Sequence, residues 1–108
     1  MKRVFVLTSH SLFGQGVESL LRQETDLDII GCETEVHQAL ARIRKLQPDV
    51  VIFDNHHLPN GSLLAIVELL RTTPHVKVIG LDLKENTFHI YQAVRREVKS
   101  LSDLVDAI

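Results

Sequence analysis

Apolar residues along this chain follow two rhythms. Short apolar-rich runs alternate with stretches in which apolar positions recur every third or fourth residue. The runs Arg3–Thr8, Asp28–Thr34, Val50–Phe53 and Val76–Leu81 are too short for free-standing helices and rich in β-branched residues. Each reads as a strand, and Val50–Phe53, apolar at every position, as one buried on both faces of a parallel sheet. Between them lie helical patterns. Ser11–Gln23 places Phe13, Val17, Leu20 and Leu21 at helical spacing, with Ser9 or Ser11 as cap and Gly14 and Gly16 as weak points. Val36, Ala39, Leu40, Ile43 and Leu46 trace a second helix that ends before Pro48.

Asn60-Gly61-Ser62 opens a third helix, with Leu63, Ile66, Val67 and Leu70 as its core face and Leu64 and Leu69 flanking it. Thr72-Thr73-Pro74 stops it. The spacing predicts a fourth helix over Asn86–Glu97, capped by Asn86 and burying Ile90, Tyr91 and Val94. A last helix starts at Ser100, where Ser100 and Asp103 suggest a capping box and Leu101, Leu104, Val105 and Ile108 supply the apolar face. Only Val98-Lys99 is left for a fifth strand. Strand and helix alternate with short connections, so the expectation is a doubly wound α/β domain spanning 1–108.

Composition narrows the function. The 108 residues include 44% hydrophobic and 24% charged positions and carry a net charge of −2, ordinary for a globular chain with no bulk attraction to nucleic acid or anionic membrane. No apolar stretch reaches membrane-spanning length. The single cysteine, Cys32, excludes an internal disulfide and suits a reducing, cytoplasmic setting. The chain has neither a basic helix nor a helix-turn-helix pattern, which argues against direct DNA contact.

Open α/β sheets place their chemistry at the carboxyl ends of the strands. Asp54 closes the central strand there and is the first candidate functional residue; Asp82 closes the fourth strand. Loop histidines His10, His56 and His57 belong to the same edge, and with Asp82 they are candidate ligands for Zn²⁺ or Ni²⁺, although their spacing fits no established metal motif. Thr8, Ser9 and Ser11 offer donors to a small anion at a helix start, but N-capping accounts for them equally well. No nucleophilic serine or cysteine motif is present, so a hydrolase is not expected.

Three segments carry a likeness to a known family: V-F-V-L-T-S-H-S-L-F-G-Q-G-V at the start, Q-P-D-V-V-I-F-D in the middle and L-S-D-L-V-D-A-I at the end. Together they resemble the receiver domain of two-component response regulators, nearest to receivers that precede LuxR-type DNA-binding domains. The resemblance implies a flavodoxin-like three-layer fold with a parallel sheet of order 2-1-3-4 and a fifth strand beyond, here shortened or missing. It also implies an aspartate phosphorylated by a histidine kinase, an acidic pair holding Mg²⁺, and a Ser/Thr and a Lys gripping the phosphoryl group.

Matched residue by residue, the phosphoacceptor position falls on Asp54, or on Asn55 when counted back from Leu58-Pro59. The acidic pair falls on Thr8 and Ser9, with His10 following; the Ser/Thr position falls on Asp82; the lysine position falls on Lys99. Mg²⁺ needs carboxylates, and phosphoryl transfer depends on charge neutralisation, so these departures imply lost or weak Mg²⁺ binding. The leading expectation is a pseudo-receiver: a non-enzymatic signalling domain that works through a protein partner or a homodimer. Its docking surface would lie around the fourth helix, the shortened fifth-strand region and the last helix, with Phe88, Tyr91 and Arg95 as candidate contacts. The alternative is a working phosphoacceptor that uses Asp54 in a phosphorelay.

Overall fold

In a computed structural model of the chain, residues 1–8, 12–54, 62–82, 85–93 and 97–108 are described, 12–14 and 62–65 by their backbone alone. The predicted strands are present as β1 (Lys2–Leu7), β2 (Leu27–Glu33), β3 (Val50–Asp54) and β4 (Lys77–Asp82). Helices α1 (Leu12–Arg22), α2 (Val36–Leu46) and α3 (Ser62–Thr72) connect them, and α4 (Leu101–Ala107) lies near the end. The strands β2-β1-β3-β4 are parallel neighbours in that order, which is the flavodoxin-like arrangement expected.

Strand alternation gives the sheet two apolar faces. Phe5, Leu7, Val51, Phe53 and Val78 point to one face, where Ala39 and Ile43 of α2 and Ile66 and Leu69 of α3 bury them. Val4, Val6, Val50 and Ile52 point to the other, where Leu21 of α1 packs. The central strands are apolar on both sides because both sides are covered. Two helical positions expected in the core are not: Val67 is 54% and Leu20 66% exposed, each lying beyond the stripe its helix turns to the sheet.

The second half of the chain departs from expectation. A fifth strand exists, but it is neither shortened to Val98-Lys99 nor missing. It is β5 (Thr87–Tyr91), it runs antiparallel to β4, and it occupies part of the segment expected to be a fourth helix. Asn86 is accordingly no helix cap; it takes the left-handed conformation, φ 53°, at the end of the return from β4. Asparagine tolerates that conformation better than most residues. Val94 and Arg95 of the expected helix lie outside the described residues.

The last helix starts at Ser100 as the capping pattern predicts, and the Asp103 carboxylate accepts from the Ser100 N–H at 3.2 Å and the Lys99 N–H at 2.9 Å. Its apolar face is not buried. Leu101, Leu104, Val105 and Ile108 are all exposed, so amphipathic spacing here signals a stripe without a cover. No described helix is long and apolar enough to cross a membrane.

One residue organises the opposite end of the sheet. The Asp49 carboxylate accepts from the Arg3 N–H at 2.9 Å, and its N–H donates to the Arg3 carbonyl at 2.9 Å. Its own carbonyl accepts from the Lys77 N–H at 3.0 Å. Pro48 beside it is fully buried. The Pro-Asp pair thus joins β1, β3 and β4 where they begin.

Candidate functional site

Parallel register brings the candidate residues to one edge. Leu7 lies level with Phe53, and Asp54 with Leu81, so Thr8, Asp54 and Asp82 follow one another across the carboxyl ends of β1, β3 and β4. Alternation then sorts them. Thr8 and Asp54 fall on the face of Val4, Val6, Val50 and Ile52, whereas Asp82 falls on the opposite face, as Leu81 packs with the Ile52 side. Thr8 is buried, and its N–H donates to the Glu33 carbonyl at 3.1 Å, which extends the β1–β2 ladder by one bond past Leu7. Asp54 is half-buried.

Asp82 has a local task. Its carboxylate accepts a hydrogen bond from the Glu85 N–H at 3.2 Å, three residues on. That contact satisfies a backbone donor in the return to β5, as Asp side chains commonly do in turns. A carboxylate at this position therefore serves the hairpin.

Lys99 does not join this edge through any described contact. Because β5 is antiparallel, Tyr91 ends level with Val78, near the start of β4, and the chain leaves the sheet at the end opposite Asp54. Lys99 then sits just before α4, in a shallow surface depression with Glu97, Val98, Asp103, Leu104, Asp106 and Ala107. Ser9, His10, Ser11, Asn55, His56 and His57 lie outside the described residues. Among the described residues, no group of three or more His, Cys, Asp or Glu side chains is placed to hold a metal.

Sequence reasoning passed over a further carboxylate at this edge. Glu33 closes β2, accepts from the Thr34 N–H at 3.2 Å and pairs with Arg42 of α2 at 3.5 Å. Its position at a strand's carboxyl end, like that of Asp54, was the available signal. Below it, Cys32 is half-buried, and burial, reinforced by the carboxylate of Glu18, pushes its thiol up to about 11.

The architecture defines a class: an α/β domain with a 2-1-3-4 parallel core and an aspartate closing the central strand. Comparison with known proteins is consistent with it. The chain is 33% identical over 85 residues to the response regulator GacA of Pseudomonas viridiflava, a match covering 79% of this chain and 40% of that protein. Among solved structures, it resembles the signal receiver domain of the response regulator NarL from Mycobacterium tuberculosis, with a TM-score of 0.65 at 24% identity over 75% of this chain and 65% of that one. It also resembles a LuxR-family two-component response regulator from Aurantimonas sp. SI85-9A1, with a TM-score of 0.67 at 15% identity over 76% of this chain and 59% of that one. No protein-family model matches. The GacA match spans about 40% of that relative's length. These relationships, together with the strand order, support a response-regulator receiver domain of the CheY-like kind.

Proposed function

We propose that this domain signals by protein contact and has given up Mg²⁺-dependent aspartyl phosphorylation. The observation that carries this reading is the register that sets Leu7 level with Phe53, so that Thr8 and Asp54 follow as next residues at one sheet edge. A divalent cation beside Asp54 would meet a buried hydroxyl where the family resemblance calls for a carboxylate. Mg²⁺ holds its waters tightly and is recruited by charge, so one carboxylate and one hydroxyl form a weak site. The bond from Glu85 to Asp82 points the same way, since the acid at the phosphoryl-gripping position is engaged with the hairpin. With the cation held only weakly, a phosphoryl group approaching Asp54 would lose the metal's share of the charge neutralisation on which the transfer depends. Partners would then distinguish states of this domain by its surface, within a cytoplasmic signalling pathway, and not by a chemical tag on Asp54.

The test is direct. The chain is incubated with Mg²⁺ and either acetyl phosphate or beryllofluoride, and intact mass and amide NMR shifts are followed. The expected outcome is no adduct and no shift of the residues flanking Asp54. A stoichiometric adduct abolished by Asp54→Asn would replace this reading with the phosphoacceptor one, in which a histidine kinase loads Asp54.

A further inference from the structure

We draw no further inference here: the strongest candidate, the exposed apolar stripe of Leu101, Leu104, Val105 and Ile108 on α4, carries nothing because nothing among the described residues shows what covers it.

Discussion

Arg42 lies over the ring of Phe5, its guanidinium carbon 5.3 Å from the ring centroid. The two meet in the space Gly31 leaves open. β1 and β2 slip by one residue there, from Val4 opposite Ile29 to Phe5 opposite Gly31, and the bulge lets the ring lie across the glycine. A Cβ at position 31 would stand 2.7 Å from Phe5 Cε2 and 3.0 Å from Arg42 Nη2. Phe5 is wholly buried and cannot swing away. Gly31→Ala is therefore expected to destabilise the domain by about 1–3 kcal/mol in urea unfolding. Gly16→Ala, which meets nothing within 4 Å on the exposed side of α1, is expected to stabilise it by about 0.5–1 kcal/mol.

Thr73 offers the opposite case. It is fully buried after α3, and among the described residues its hydroxyl has no hydrogen-bond partner. Its N–H is satisfied by the Leu69 carbonyl at 2.8 Å, so the backbone needs nothing from the side chain. A buried hydroxyl without a partner costs its desolvation. Thr73→Val is expected to raise stability by up to about 1 kcal/mol, read from the urea midpoint with an unchanged slope.

The Cys32 thiol, pushed up to about 11 by burial and then by Glu18, is neutral at physiological pH. Thiolate is the reacting species, so alkylation by iodoacetamide is expected to be slow at pH 8 and to climb steeply toward pH 11. The folded state holds this proton more tightly than the unfolded chain does. The associated stability is thus complete below the ordinary thiol range and is lost as pH rises through about 11. Glu18→Gln is expected to move the alkylation profile to lower pH. It removes the negative charge while leaving burial in place.

Glu35 caps α2, its two carboxylate oxygens accepting from the His37 N–H at 3.0 Å and the Gln38 N–H at 2.7 Å. Those bonds hold its carboxyl below the usual glutamate range. A lowered value means the cap is complete above that range and is lost as pH falls through it. Glu35→Ala is expected to fray the first turn of α2 at neutral pH, seen as faster amide exchange at His37 and Gln38. Acidification should then have less effect on that turn than in the parent.

Asp82→Ala is expected to speed amide exchange across β5 while leaving β1–β3 protected, because the bond from Glu85 secures the return between β4 and β5. Asp82→Asn, which keeps an acceptor oxygen, is expected to preserve most of the protection. Hydrogen exchange followed by NMR distinguishes the two.

The first four strands were legible as short runs rich in β-branched residues, most plainly β3 with both faces covered, whereas the strand order came with the resemblance to receiver domains. The edge bearing Thr8, Asp54 and Asp82 was legible for the same reason, since a strand's last residue falls where its run stops. The stretch from Asn86 misled. Ile90, Tyr91 and Val94 satisfy a helical spacing, yet Thr87–Tyr91 also suits a strand, and Asn86 serves equally as a helix cap or a left-handed turn residue. The unpaired edge of β4 decides between them, and that edge exists only once the sheet is assembled. The exposed stripe of α4 was misjudged for a related reason. A helical pattern reports which side is greasy, not whether anything lies against it.

The Asp49 staple has a mechanical consequence. Three strands are stitched together at their starting ends by one residue's backbone and carboxylate, so β1, β3 and β4 behave as ribs of a fan gathered at a common rivet. Any splaying between them is expected to be smallest at Asp49. Hydrogen exchange is accordingly expected to be slowest where the ribs meet at Asp49.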